Sequence, residues 1–277
     1  MLTAFVILLI MGFLGTFFGF ILAFANKKFS VETNPLIHLV EEVLPKGQCG
    51  ACGYAGCIAY AEAVVLDPAV PPDLCIPGKA AVARLVAELT GKAAASASPR
   101  LAHIRCAGDA THARLRFRYG GIRDCVAASY VQGGPKACKY SCIGFGTCVK
   151  NCPFGALRMG EDGLPRVDSA RCTGCGVCEK ICPKKVIRML PAAHRVRIDC
   201  NSNDRGAIAR KLCDTACIAC GICAKHCPHG AITVENNLAV ADARICAESC
   251  TRPLCVEKCP TKAIAQVPHD PSKKGVG

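Results

Sequence analysis

The chain has 277 residues, of which 24 are cysteine and none is tryptophan, and its formal net charge is +13. Aromatic residues make up only 5% although hydrophobic residues reach 51%, so the composition fits neither a disordered basic tail nor an aromatic-rich enzyme core. The length allows one or two ordinary domains. Cysteine at this frequency indicates disulfides, zinc or iron–sulfur clusters as a main stabilising element.

The first segment is an uncharged apolar run over residues 2–25, followed by Lys27 and Lys28. As a helix it would be about 36 Å long, more than the roughly 30 Å of bilayer hydrocarbon, so we expect a membrane anchor. The alternative is a signal peptide cleaved after residues 23–25, but no basic residue precedes the apolar run. The lysines that follow it predict that the remainder is cytoplasmic. The run has no ionisable side chain, so any ion would cross the membrane through another chain.

Helices and short strands are expected after the anchor. Asn34 is a helix cap for the segment that follows it, and further helices are predicted from Cys57 to about Leu66 and from Gly78 onward. The small, polar stretch 91–100 indicates a linker. Beyond it, a Cys-Pro pair followed by a short apolar stretch occurs four times, which predicts four strand starts in two paired units. These pairs begin at Cys152, Cys182, Cys227 and Cys259.

Two cysteine groups have the spacing C-x2-C-x2-C-x3-C-P. Three cysteines in so tight a loop can face three corners of a [4Fe–4S] cluster, and the fourth ligates the other cluster of a pair. A zinc site would instead separate two C-x2-C pairs by 15–20 residues. Disulfides are disfavoured because the chain is expected in the reducing cytosol. The two groups are Cys172, Cys175, Cys178 and Cys182, and Cys217, Cys220, Cys223 and Cys227.

Each of these groups has a partner of looser spacing, also ending in Cys-Pro. Exchange of the fourth ligands within each pair predicts four clusters. The first pair of ligand sets is Cys138, Cys142, Cys148 and Cys182, and Cys152, Cys172, Cys175 and Cys178. The second pair is Cys217, Cys220, Cys223 and Cys259, and Cys227, Cys246, Cys250 and Cys255.

The cysteine group nearest the anchor has the pattern C-x2-C-x4-C-x17-C and several glycines where backbone would approach a bulky ligand. It predicts a fifth [4Fe–4S] cluster, with zinc as the alternative. Its members are Cys49, Cys52, Cys57 and Cys75. Five oxidised clusters with their ligands would carry about −10, which would bring the formal +13 to about +3.

The remaining cysteines are Cys106, Cys125, Cys200 and Cys213. We interpret them as buried structural thiols, with a reversible disulfide or a place beside a cluster as alternatives. No dinucleotide fingerprint, P-loop or nucleophile–base pair is present, so we assign no catalytic residue. Basic residues without interleaved aromatics do not indicate a nucleic-acid surface.

The order of these features resembles the B subunit of Rnf complexes, the ion-translocating ferredoxin:NAD oxidoreductases of bacterial membranes. The most specific stretches are CGACGYAGCIAYAEA, GGPKACKYSCIGFGTCVKNCPFGA and CTGCGVCEKICP. The resemblance covers essentially the whole chain, with two ferredoxin pairs where many members have one. In that family electrons pass between reduced ferredoxin and NAD, coupled to Na⁺ or H⁺ movement. The flavins, the nicotinamide site and the ion path lie on sister subunits.

The expected fold class is therefore α+β, with a transmembrane helix, a small helical [4Fe–4S] domain and two tandem bacterial ferredoxin-like modules. The predicted bounds are 1–26 for the anchor, 27–92 for the small domain, 93–103 for the linker, and 104–199 and 200–277 for the modules. The resemblance implies a single-pass subunit of the bacterial inner membrane, with soluble ferredoxin and other Rnf-type subunits as partners. The alternative is a freestanding membrane polyferredoxin that serves a hydrogenase or dehydrogenase.

Overall fold

A computed structural model describes residues 2–29, 34–94 and 99–267. Part of the expected linker and the C-terminal tail from residue 268 lie outside the described residues.

The chain begins with helix α1, Leu2–Phe29. Its stretch Phe5–Phe29 is long and apolar enough to cross a membrane, with a mean hydropathy of 2.6. Large side chains such as Phe13 and Phe20 are at least 70% exposed, so no protein core in the described part of the chain covers them. A helix that is apolar all round and uncovered by protein fits a lipid environment.

Three helices form the small domain that follows, as the sequence predicted. They are α2 (Pro35–Val43), α3 (Cys57–Leu66) and α4 (Lys79–Thr90). The Asn34 side chain caps α2 by accepting a hydrogen bond from the amide of Leu36 at 3.0 Å. The core of the domain is aliphatic and aromatic, built around Val40, Tyr60 and Val64, each at most 1% exposed.

The rest of the chain contains two repeats of four short strands. In each repeat the middle strands form an antiparallel hairpin and the outer strands form a second antiparallel sheet. In the first repeat the pairs are β1 (Arg100–Ile104) with β4 (Ile187–Pro191), and β2 (Leu157–Met159) with β3 (Pro165–Val167). In the second they are β5 (Val196–Ile198) with β8 (Ile264–Gln266), and β6 (Ile232–Glu235) with β7 (Leu238–Ala241). The four strands expected after Cys-Pro are confirmed as β2, β4, β6 and β8.

Two predicted boundaries differ from the structure. Residues 100–103, assigned to the linker, belong to β1, because pairing with β4 buries Ala102 and His103. Strand β5 precedes the predicted boundary at residue 200 but pairs with β8, so the second repeat begins near residue 196.

Short helices carry cysteines toward the interior. They are α5 (Cys125–Ser129), α6 (Thr147–Lys150), α7 (Val177–Ile181), α8 (Gly206–Leu212), α9 (Ile222–Lys225), α10 (Ala243–Ser249) and α11 (Leu254–Glu257). All except α8 contain a cysteine that is at most 9% exposed. Cysteines therefore share the two cores of this region with alanines and a few larger aliphatic residues.

Candidate iron–sulfur sites

The 24 cysteines all lie in described segments, and all are free thiols. Their side chains are arranged in sets of four, which we number in the order of their contacts. Quartet 1 is Cys49, Cys52, Cys57 and Cys75; quartet 2 is Cys152, Cys172, Cys175 and Cys178; quartet 3 is Cys125, Cys142, Cys148 and Cys182. Quartet 4 is Cys106, Cys138, Cys200 and Cys213; quartet 5 is Cys217, Cys220, Cys223 and Cys259; quartet 6 is Cys227, Cys246, Cys250 and Cys255.

Quartets 1 to 5 each line a concave space of about 320 to 380 Å³ that is partly open to solvent. Among the described residues, no three His, Cys, Asp or Glu side chains converge closely enough to hold a single metal ion. A zinc ion draws its sulfur ligands to about 2.3 Å from one point. Four thiols around a larger space instead fit a bulky group ligated at its corners, as a [4Fe–4S] cluster is.

Quartet 1 lies in the small helical domain. Cys57 begins α3, and its amide donates a 3.0 Å hydrogen bond to Gln48 Oε1, which fixes the loop that carries the preceding cysteines. Burial raises the pKa of Cys75 to about 11, with further contributions from the neighbouring thiols. The predicted set of four is thus brought together by the loop before α3 and the segment before α4.

Quartets 2 and 5 are held by the two tight loops that the sequence singled out. In the first loop Gly174 and Gly176 have φ of +75° and +79°, a left-handed backbone that turns the chain around the enclosed space. The amide of Ala102 on β1 donates to Cys172 Sγ, and that of Ala239 on β7 donates to Cys217 Sγ, each at 3.5 Å. Amide donors to the sulfurs are one of the features that set cluster potentials.

Quartet 3 differs from the sequence-based grouping, because Cys125 takes the place expected for Cys138. The Cys125 amide donates to Thr147 Oγ1 at 2.7 Å, and the Thr147 hydroxyl donates to Asp124 Oδ2 at 2.7 Å. These bonds hold the start of α5 against the start of α6, which carries Cys148. The spacing of the motif could not reveal this contact.

Cys138 lies in quartet 4 because a short backbone ladder displaces its segment. Isolated bridges join Ala113 to Cys213 and Leu115 to Lys136, and the Ala137 amide donates to the Arg114 carbonyl at 2.8 Å. The segment around residue 114 therefore joins the Cys138 segment to the Cys213 segment. The cysteine spacing did not predict this quartet. The total of 24 cysteines, which is divisible into sets of four, was a signal that could have suggested it.

Quartet 6 brings together the four cysteines that the sequence analysis grouped. Burial raises the pKa of Cys255 to about 12, and the nearby thiols of Cys246, Cys250 and Cys227 raise it further. Burial likewise raises the pKa of Cys178 in quartet 2 to about 12. Such thiols stay protonated near neutral pH without a cation, so iron binding must displace their protons.

The first three quartets lie beside one another. Between quartets 1 and 2, Lys180 Nζ donates to the Gly50 carbonyl at 3.4 Å, and a Cβ at Gly47 would lie 2.8 Å from the Phe154 ring. Between quartets 2 and 3, helix α7, which carries Cys178, lies against helix α6, which carries Cys148. The quartets of the first repeat therefore connect to the small domain.

Family models match the segments of the chain that contain these cysteine quartets. The FeS family model, an Fe-S cluster domain, matches residues 44–77, and two models of 4Fe-4S dicluster domains match residues 141–186 and 171–232. The class of protein is therefore an iron–sulfur protein with ferredoxin-like 4Fe-4S domains and one N-terminal apolar helix.

Curated relatives specify the family. The chain is 61% identical over 265 residues to the B subunit of the proton-translocating ferredoxin:NAD(+) oxidoreductase complex of Clostridium ljungdahlii, covering 96% of this chain and 93% of the relative. It is 44% identical to the Na(+)-translocating counterpart of Acetobacterium woodii, covering 92% and 76%. It is 39% identical to the B subunit of the ion-translocating oxidoreductase complex of Methanosarcina acetivorans, covering 91% and 94%. The chain belongs to the family of Rnf complex B subunits.

Proposed function

We propose that this chain is the electron-transfer subunit of a membrane-bound, ion-translocating ferredoxin:NAD oxidoreductase complex. It accepts electrons from reduced ferredoxin and relays them through about five [4Fe–4S] clusters to membrane partners, while the complex couples the transfer to Na⁺ or H⁺ translocation and NAD reduction. The observation that carries the proposal is the series of cysteine quartets that leads to the small domain, which follows α1 in the sequence.

The cluster ligands of this proposal are the thiols of quartets 1, 2, 3, 5 and 6, with Cys125 replacing Cys138 in quartet 3. Each cluster would supply one-electron storage at low potential. Buried, amide-bonded sulfurs such as those of Cys172 and Cys217 fix each ligand in position. We assign the two strand repeats to two tandem ferredoxin-like modules, with two of these clusters in each.

The contact between the small domain and the first repeat determines where electrons would leave the modules. Gly47 has no side chain and lies against the ring of Phe154, and Lys180 reaches the Gly50 carbonyl. A side chain at residue 47 would have to displace the Phe154 ring, which lies next to Cys152 of quartet 2. The absence of a side chain there permits close approach of the two cluster-binding loops.

We assign the subunit to the bacterial inner membrane as a single pass, which the length and apolar composition of helix α1 support. Lys27 and Lys28 at its end favour a cytoplasmic location for the iron–sulfur domains. Gly12, Gly15 and Gly19 have open space where a side chain would be, so another membrane subunit can pack closely there. Soluble ferredoxins are small and acidic, so basic side chains on the modules would steer their docking.

The test is anaerobic purification of the complex from cells that carry either the native chain or Cys175→Ser. We expect co-purification of the membrane subunits in both cases, and loss of ferredoxin-driven NAD reduction only in the variant. Reduction by the native complex should slow as ionic strength rises. A chain that purifies without other membrane subunits would instead support a freestanding polyferredoxin, and zinc in place of iron would exclude electron transfer by these sites.

A further inference from the structure

We propose that Cys106, Cys138, Cys200 and Cys213, which form quartet 4, ligate a sixth [4Fe–4S] cluster between the two strand repeats. The inference deepens the proposed electron-transfer function and rests on it. The four thiols come from separate segments and line one concave space of about 360 Å³, similar in size to those of the ferredoxin-type quartets.

Backbone hydrogen bonds assemble this quartet from distant parts of the chain. The Ala107 amide donates to the Asp199 carbonyl at 2.8 Å, which places Cys106 beside Cys200. The Arg114 amide donates to the Leu212 carbonyl at 3.0 Å, and the Ala137 amide donates to the Arg114 carbonyl. This second pair of bonds brings Cys213 and Cys138 to the same space.

A sulfur of quartet 4 accepts the same kind of hydrogen bond as the sulfurs of quartets 2 and 5. The Cys142 amide donates to Cys106 Sγ at 3.4 Å. The sulfurs of a cluster accept such bonds from backbone amides. The Cys106 sulfur therefore lies in the same kind of environment as the sulfurs of the motif cysteines.

Gly108 provides the room that a bulky ligand needs. A Cβ at this position would lie 3.1 Å from Cys213 Sγ and 3.7 Å from Cys106 Sγ. Any other residue would therefore project between two of the four sulfurs. The glycine keeps this side of the space open.

A buried positive charge lies next to quartet 4. Lys136 is 9% exposed, and its ammonium donates to the Gly108 carbonyl at 2.6 Å. In the described ranges it forms no ion pair with a carboxylate, and the Gly108 that it contacts lines the same space as the four thiols. A buried ammonium without a counterion is costly, and a cluster with four thiolates would carry the compensating negative charge.

The position of quartet 4 completes the series. Cys106 Sγ accepts a hydrogen bond from the Cys142 amide of quartet 3. Ala216, which precedes Cys217 of quartet 5, lines the same space as Cys200. Without a cluster here, the clusters of the first repeat would be separated from those of the second by protein alone. With it, one-electron transfer would pass through six neighbouring centres, each gaining and then losing one electron.

The experiment is iron and acid-labile sulfide analysis of the full chain, purified alone in detergent under anaerobic conditions. Six quartets with four irons each predict about 24 Fe and about 24 sulfides per chain, whereas five predict about 20. A plateau at about 20 Fe, or about 20 Fe with one zinc, would overturn the proposal. This count on the native chain does not depend on whether any variant folds.

Single cysteine variants test the ligand set. We expect Cys200→Ser to lose about four Fe and retain the rest, whereas Ser141→Ala, a buried polar change in the same space, keeps the native count. Cys175→Ser in quartet 2 should also lose about four. If only Cys175→Ser loses iron, the sixth site fails and the proposed function stands; if neither does, both fail.

Electron paramagnetic resonance during stepwise reduction identifies which cysteines share a cluster. We expect Cys138→Ser to remove the same signal as Cys200→Ser, and Cys125→Ser to remove the same signal as Cys182→Ser. If Cys138→Ser removes the signal that Cys182→Ser removes while Cys200→Ser leaves every signal unchanged, Cys138 belongs to quartet 3 and the proposal is wrong.

Discussion

The backbone amide of Cys142 donates a hydrogen bond to the sulfur of Cys106 at 3.4 Å, across 36 positions of the sequence. Cys142 belongs to a group that a motif can identify, whereas Cys106 belongs to none. The bond therefore links quartet 3 directly to quartet 4. The strength of this hydrogen bond depends on whether the Cys106 sulfur is ionised, since hydrogen bonds to charged acceptors are roughly twice as strong as those between neutral groups.

Two glycines in the loop of quartet 2 should respond differently to the same substitution. Both have positive φ, but a Cβ at Gly174 would clash with the Arg100 carbonyl on β1, whereas a Cβ at Gly176 meets open space. We expect Gly176→Ala to cost about 1 kcal/mol of stability with the iron content intact, and Gly174→Ala to lose about four Fe. The measurement is iron content together with the thermal unfolding midpoint. Equal behaviour of the two variants would contradict the role of the β1 carbonyl.

The corresponding position in the loop of quartet 5 supports this distinction. Ala219 occupies it with φ of +55°, so a left-handed backbone does not by itself exclude alanine from such a loop. The approach of a strand carbonyl, rather than φ alone, makes glycine necessary at residue 174.

Lys136 should set the reduction potential of the clusters near it. Removing a buried positive charge destabilises the reduced, more negative state of a cluster, so Lys136→Met should lower the potential of a nearby centre. We expect a shift on the order of 50 mV, where about 59 mV equals a tenfold change in a one-electron equilibrium. The measurement is a redox titration followed by electron paramagnetic resonance. Lys139→Met is the control, because that side chain is 62% exposed and solvent screens its charge.

Asp124 should stabilise the junction between α5 and α6. Its side chain accepts hydrogen bonds from the amides of Val126 at 2.8 Å and Ala127 at 3.0 Å and from the Thr147 hydroxyl. We expect Asp124→Ala to cost about 1 kcal/mol, which lowers the unfolding midpoint by about 2–4 °C. Asp124→Asn, which keeps an acceptor for the helix amides, should lower it less. An unchanged midpoint for the alanine variant would show that the cap is dispensable.

Removal of iron should affect the two parts of the soluble region unequally. The small domain buries Val40, Tyr60 and Val64 in a core with no fully buried cysteine, whereas cysteines and alanines make up more than half of the buried residues in each core of the strand repeats. After chelation, hydrogen exchange in β1 to β8 should rise toward that of an unfolded chain, while α2, α3 and α4 keep measurable protection. Loss should be easier at low pH, because the ligand thiols take up protons. Uniform loss of protection in both parts would contradict this division.

The helix cap, helices and strands named below could be predicted because each is specified by residues close to it in the sequence. The cap at Asn34, the helix from Cys57 to Leu66 and the strands after each Cys-Pro pair all follow from neighbouring residues, and the structure contains them. The tight C-x2-C-x2-C loops likewise predicted which cysteines face one space. Chain order and these motifs were also sufficient for the resemblance to the family.

The positions of β1 and β5 could not be predicted in this way. Each is a short strand whose partner lies far along the chain, β4 for β1 and β8 for β5. Short strands far from their partners have no local signature, so the linker was predicted too long and the module boundary slightly too late.

Composition, cysteine spacing and hydropathy are properties of neighbouring residues, and they were sufficient to identify a cysteine-rich chain with an N-terminal apolar helix and ferredoxin-type motifs. The grouping of Cys125 and Cys138 with other cysteines follows instead from tertiary contacts. The Thr147 hydroxyl holds Cys125 against α6, and the backbone ladder through Arg114 carries Cys138 to Cys213. Contacts of this kind join residues 20 or more positions apart and depend on how whole segments pack, so no spacing rule contains them.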